Sequence, residues 1–229
     1  MTLPHSPAWL AIFLFASAAS AQLSEKANEG YRTPEGRELV ASDLDNPERE
    51  KSQKPRELIA GIGVRKGDVV ADVGTGVGFM LPYFAEAVGP EGFIYAEDIQ
   101  QDFLDKAQER IEEGGWKNVR TVLGGQVDPK LPPARIDLAF ILDAYHHFES
   151  PVDTLKSLRR SLKPDGRLVV VDFYRSRPNP NWSEERRMDH IRLDRDGFTE
   201  EIESAGFRLE RYFDHLPHQY ALIFQKAAD

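Results

Sequence analysis

The stretch Val69-Val70-Ala71-Asp72-Val73-Gly74-Thr75-Gly76-Val77-Gly78-Phe79 decides how this chain folds. It is a short β-branched run closed by an acid, followed by three glycines at alternate positions. β-Branched residues suit a strand. Glycine lacks Cβ, so it turns left-handedly and lets the backbone come close to a bound molecule. A glycine-rich turn leading from strand to helix is the nucleotide cradle of open α/β sheets. A dinucleotide fingerprint requires G-x-G-x-x-G. Here the third glycine comes one residue early, at Gly78, and Phe79 stands where that fingerprint has glycine. A nicotinamide oxidoreductase is therefore the disfavoured reading.

Further on, Gly92-Phe93-Ile94-Tyr95-Ala96-Glu97-Asp98-Ile99 reads as a second strand ending in acids. Asp98 lies about 20 residues beyond Gly78, the distance at which an acid meets a ribose. A carboxylate offers only acceptors, which suits vicinal hydroxyls. Glu97 competes for the role, and both acids could simply solvate the strand end; Asp98 is preferred. Asp72-x-Gly74-x-Gly76-x-Gly78 resembles the first motif of class I S-adenosylmethionine-dependent methyltransferases, and Ala96-x-Asp98-Ile99 resembles their second. Leu162-Lys163-Pro164-Asp165-Gly166 is similar to a further signature of that family, although a helix stop and a turn also explain it.

The resemblance runs from about Lys54 to Val171 and looks strongest to the type 11, quinone C-methylase-like branch. It implies S-adenosylmethionine as cofactor and a Rossmann-like α/β fold. The implied sheet has seven mostly parallel strands in the order 3-2-1-4-5-7-6, with helices on both faces. It also implies that Asp72, Gly74, Gly76 and Gly78 surround the cofactor, that Asp98 takes the ribose, and that Ile99 lies on the adenine. An acid after the third strand often meets the adenine amino group in the family; here Gln126 holds the place, or Asp128 beyond it.

Periodicity alone predicts five parallel strands and a two-stranded finish. Asn118 to Val127 reads as the third strand and its following loop, and Ile136 to Asp143 as a buried central strand. A helix is expected from about Lys54 to Gly61, and a polar stretch from Phe173 to Ser183. Helices are expected at Glu184 to Leu193 and Thr199 to Ala205, then a strand Phe207 to Phe213, a loop Asp214 to Gln219, and a strand Tyr220 to Phe224.

Residues 1–21 read as a signal peptide: Trp9 to Ala19 is apolar, too short to span a membrane, and closes on Ala19-Ser20-Ala21. Its first residues lack Lys and Arg, and an apolar helix packed on the body or a membrane is the alternative. Residues 22–54 form a charged arm, either a solvated tail or a lid in which Tyr31 and Arg32 close over the site. The resemblance implies that residues 55–229 form the methyltransferase domain. The net charge of −9 argues against nucleic acid as substrate. The absence of cysteine excludes thiolate catalysis and thiolate metal sites.

A sulfonium methyl is already activated, so transfer needs mainly orientation and water exclusion, with a base where the acceptor holds its proton. Asp143, at the end of the most apolar strand, leads the catalytic candidates, with His146 and His147 beyond it. His190 is a second-tier candidate, and His215 and His218 could line the pocket edge. No histidine spacing matches a metal motif. The expected activity is S-adenosylmethionine-dependent methylation of a small molecule, on an exported chain without stable membrane insertion. A nucleoside-binding module without transfer is the rival.

Overall fold

The computed structural model describes residues 24–228; the leader read in residues 1–21 lies outside the described residues. Strands β1 (Val69–Val73), β2 (Phe93–Asp98), β3 (Val119–Leu123), β4 (Ile136–Leu142) and β5 (Leu162–Phe173) run parallel. Strand β6 (Phe207–Leu216) and β7 (Gln219–Lys226) form an antiparallel pair, and β7 lies antiparallel on β5. The sheet order is β3-β2-β1-β4-β5-β7-β6, as the family resemblance implied.

Side chains alternate across a strand, and each central strand is apolar on both faces. Val70, Leu138, Phe140 and Val169 point to one side; Ala71, Ala139, Ile141 and Val170 point to the other. The first face is covered by α3 (Pro55–Ile62), α4 (Leu81–Val88) and α5 (Gln101–Gly114), which bury Leu58, Leu81, Phe84 and Ile111. The second takes α6 (Pro151–Ser161) and α8 (Arg195–Ser204), through Leu155, Leu158, Phe198 and Ile202. Fully burying a Leu or Phe contributes ~1.5–3 kcal/mol, so these two layers fix the sheet that carries the site.

Residues before the sheet are helical and packed. Helix α1 (Pro34–Leu44) is capped by Thr33, whose hydroxyl accepts from the Gly36 N–H at 3.0 Å. Helix α2 (Glu48–Gln53) follows, and Lys54, with φ +46°, turns the chain left-handedly into α3. Ala41, Val77 and Phe103 make a small cluster with Tyr31, Val40 and Leu44, which seats α1 on the glycine turn and α5. Arg37 reinforces the contact by bonding Asp102 at 2.6 Å.

Several local expectations change. The Lys163–Gly166 turn lies within β5 as a bulge: Ile136 pairs with Leu162, but Leu138 pairs with Arg167. A Cβ on Gly166 would meet the Ile136 carbonyl at 2.8 Å, so the bulge needs glycine there. The expected loop Asp214–Gln219 belongs mostly to the hairpin strands, which leave only Pro217 and His218 between them. Helix α8 starts earlier, at Arg195, because Asp194 caps it by accepting the Arg195 N–H at 2.9 Å. Helix α7 (Glu184–His190) stops short of Leu193 because Ile191 turns extended to bury itself in the core. No helix among the described residues is long and apolar enough to cross a membrane.

Candidate functional site

A cavity of about 350 Å³ opens at the carboxyl ends of β1, β2 and β4, where open α/β sheets bind ligands. The glycine turn forms its floor. Gly74 and Gly76 hold φ of +73° and +57°; a Cβ on them would meet Ala144 Cβ at 2.8 Å and Leu44 Cδ1 at 3.0 Å. Both positions therefore need glycine on conformation and on space. The Gly74 and Thr75 N–H groups donate to the Glu97 carbonyl at 2.9 and 2.8 Å, tying the turn to the end of β2.

Asp98 makes the second tie. Its Oδ2 accepts from the Gly76 N–H and its Oδ1 from the Gln100 N–H, each at 2.9 Å. A carboxylate has about four lone-pair sites, so two backbone donors leave capacity for ribose hydroxyls. Burial pushes the Asp98 carboxyl up to about 6, against the lowering effect of the Gln100 and Gly76 N–H groups. Glu97 also lines the cavity, raised well above the carboxylate range by burial and then by Asp98. Ile99 lines the mouth with 41% of its surface exposed. Gln126 lines it too, whereas Asp128 is bonded to the Ser157 hydroxyl at 2.8 Å and stands outside the wall.

Two expected cofactor contacts lie elsewhere. Asp72 sits beneath the turn, 2% exposed, and accepts from the Thr75 hydroxyl at 2.7 Å. Thr75, passed over in the sequence, is the wall residue. Gly78 also lies outside the wall; its missing Cβ makes room for Leu81 Cδ1 at 2.7 Å and Ala107 Cβ at 3.4 Å. Its φ of +80° serves the turn into α4.

Asp143 lines the cavity in a left-handed conformation, φ +53°. Its carboxylate accepts from the Gln53 amide at 2.6 Å and the Gln219 amide at 2.5 Å. Burial raises it to about 7; Asp172 adds to the rise, while Arg49, His146 and Gln219 oppose it. Arg49 lines the same cavity and stacks over the Phe79 ring at 4.4 Å. Burial lowers its guanidinium from the usual range, and Asp143 and Asp72 oppose that shift. Arg49, Gln53 and Gln219 carried no signal in the sequence, because a charged arm and an expected loop look alike whatever they later touch.

The short 3₁₀ turn Tyr145–His147 divides the two adjacent histidines. His147 lines the cavity, its Nδ1 2.8 Å from Asn28 Oδ1 and its ring edge-on to Tyr31 at 4.9 Å. Burial holds its imidazole well below the ordinary range, with His146 and His190 adding to the effect. Tyr31 is raised to about 12 by burial and then by Asp98. His146 lies behind the wall, 1% exposed, with Nδ1 2.8 Å from Asp172 Oδ1. His190 comes in from α7, its ring 4.9 Å from His146 and 5.1 Å from His147. Burial, followed by His146 and Arg186, lowers it to about 3. Three imidazoles thus gather where sequence spacing showed no metal motif, because the third comes from a distant helix. His215 and His218 stay off the cavity: His215 Nε2 is 2.6 Å from the Gln53 carbonyl, and His218 stacks on Phe173.

Residues 64–213 match the model of a family described as Methyltransferase domain. The chain is similar to the ubiquinone/menaquinone biosynthesis C-methyltransferase UbiE of Ectopseudomonas mendocina, 30% identical over 162 residues, 70% of this chain and 63% of that protein. It is also similar to the demethylmenaquinone methyltransferase of Listeria welshimeri, 28% identical over 130 residues, 56% of this chain and 54% of that one. The match therefore spans under two thirds of these relatives' length. A SAM dependent methyltransferase from Aquifex aeolicus superposes with a TM-score of 0.75 at 27% identity, covering 81% of this chain and 96% of that one. The mitomycin 7-O-methyltransferase MmcR shares the fold with a TM-score of 0.66 at 18% identity, over 91% of this chain and 67% of its own. Carbon and oxygen methylation both occur among these names, so the fold does not choose the acceptor atom.

Proposed function

The chain belongs to the methyltransferase-domain family, whose cofactor is S-adenosylmethionine, and we propose that it methylates a small aromatic acceptor. The observation that carries this reading is the meeting, in one cavity, of the glycine turn, the Asp98 carboxylate and the Asp143–His147 segment. A cradle that any Cβ would fill, an acid with spare acceptor capacity and an exposed Ile99 at the mouth fit a nucleoside with an adenine. Bound there, the cofactor supplies a methyl already activated by its sulfonium.

The residues of this chain then hold and exclude. Gly74 and Gly76 admit the ligand against the backbone, Asp98 takes the ribose hydroxyls, and Ile99 covers the base. Arg49 offers a partner for the cofactor's carboxylate. Tyr31, Phe103, Leu142 and Phe148 line the cavity with apolar surface, which suits an aromatic ring. Quinone methylation in the names of two relatives supports that acceptor class. Asp143, titrating at about 7, is placed to accept a proton from the acceptor near neutral pH.

Calorimetry with S-adenosylhomocysteine and NAD, followed by transfer of isotope-labelled methyl to hydroquinones and phenols, tests the proposal. Binding of S-adenosylhomocysteine, no binding of NAD and labelled product are expected. Asp143→Asn should lower single-turnover rate ~10²–10⁴-fold with a much smaller change in cofactor affinity. NAD binding in place of S-adenosylhomocysteine overturns the cofactor, and cofactor binding without any product points to the binding module instead.

A further inference from the structure

We propose that His146, His147 and His190 form a mononuclear site for a divalent transition metal of the zinc class. Each offers a ring nitrogen, and these three atoms lie within 4.8 Å of one another. A tetrahedral zinc with Zn–N bonds of about 2.0–2.1 Å needs nitrogens about 3.3 Å apart, so small side-chain rotations close the site. The ring centroids already stand 4.2, 4.9 and 5.1 Å apart. Of the three imidazoles only His146 has a carboxylate on its ring, Asp172 on Nδ1.

The surroundings are those of ligands held for a metal. His146 Nδ1 is 2.8 Å from Asp172 Oδ1, and Asp172 also accepts the His146 N–H at 3.1 Å. A carboxylate on one ring nitrogen fixes the tautomer and aims the other nitrogen at the metal. His147 is held at both ring nitrogens, its Nδ1 2.8 Å from the Asn28 side-chain oxygen and its Nε2 3.5 Å from the Tyr31 hydroxyl, a long contact that a metal on that nitrogen would replace. His190 is steadied by Trp182, edge-on at 4.8 Å. Imidazole suits zinc, copper, nickel and iron, whereas magnesium and calcium prefer oxygen. Three protein ligands with an open fourth position are the pattern of catalytic rather than structural zinc.

His147 gives the site its access, since it also lines the cavity. A phenolic or enolic oxygen in the cavity could then take the fourth position. That role for the metal rests on the methyl-transfer reading; metal binding itself does not.

The test uses the full chain after chelator treatment. Calorimetric titration with zinc chloride should show one ion per chain at submicromolar affinity, and cobalt(II) should give the intense visible bands of a tetrahedral site. His190→Ala should weaken zinc at least a hundred-fold, and Asp172→Asn roughly ten- to a hundred-fold. His218→Ala, outside the cluster, should leave zinc affinity unchanged. His190→Gln, checked by thermal melt, provides a second variant should the alanine disturb the cap. Wild type binding zinc no more tightly than both His190 variants overturns the site, as does loss of zinc with His218→Ala alone. Titration of S-adenosylhomocysteine on the same samples reports the cofactor reading separately, because its glycine cradle and Asp98 lie outside the cluster.

Discussion

Replacing Asp72 with asparagine should stabilise the protein more at high pH than at low pH. Asp72 is 2% exposed, and burial raises its carboxyl from 3.8 to about 7, with Asp98 adding to the rise and Thr75 and Arg49 opposing it. A carboxyl that titrates higher in the folded than in the unfolded chain favours folding fully below 3.8 and loses that contribution as pH rises through about 7. Over that window the unfolded chain ionises while Asp72 in the folded protein still holds its proton. At ~1.4 kcal/mol per pH unit, the loss between pH 5 and pH 8 integrates to roughly 2–3 kcal/mol. Asparagine keeps the shape and an oxygen for the Thr75 hydroxyl, but it does not titrate. The melting temperature of Asp72→Asn, relative to wild type, should therefore rise by roughly 5–10 °C from pH 5 to pH 8. Calorimetric melts of both proteins at the two pH values measure this difference directly. Parallel shifts at both pH values would refute the reasoning, since Asp72 would then be ionised in both states or in neither. A bound ligand carrying an ammonium near Asp72 should narrow the gap at pH 8.

Gly76→Val should abolish binding of S-adenosylhomocysteine while leaving a folded sheet by circular dichroism, because a side chain there meets Leu44 at φ +57°; unchanged affinity would move the cradle elsewhere. Asp98→Ala should weaken the cofactor roughly ten- to a hundred-fold by calorimetry, the ~1.5–3 kcal/mol of a charge-assisted bond, and Glu97→Ala should weaken it less. The opposite ranking would assign the ribose to Glu97. We propose that residues 1–21 are removed as a leader: the mature chain, sequenced from its amino terminus, should begin at Gln22, and a retained Met1 would rule this out.

The part of the fold carried by runs of apolar residues was legible in the chain. β1, β2 and β4 were visible because each is a mostly apolar run, broken in β1 and β2 only by acids at or near the strand end, and the glycine turn because it needs positive φ. The order of the last strands came from the family resemblance; hydrophobic pattern cannot tell which edge a hairpin joins. The site was legible where one segment builds it, as with Gly74 and Gly76, and opaque where distant segments meet. Gln53 and Gln219 reach the two different oxygens of Asp143 from opposite ends of the chain, and nothing local distinguishes them from surface glutamines. The same holds for the histidines: adjacency at 146–147 drew notice, but the third member depends on where α7 lands.

The arm's contacts have an electrical consequence. Leu44 against Gly76, Arg49 facing the charges of Asp72 and Asp143, and Gln53 on Asp143 all belong to the consecutive helices α1 and α2, which end at the left-handed Lys54. Any motion that lifts this stretch removes a cation and an amide donor from the cavity together. Asp72 and Asp143 are then left without the Arg49 charge that opposes the rise of their carboxyls. Such a concavity focuses negative potential and draws cations in, and a sulfonium with an ammonium is a dication on that side. Return of the arm brings back Arg49, opposite in sign to a carboxylate and alike in sign to a sulfonium. An open cavity therefore attracts the charged donor, and a closed one grips its carboxylate end.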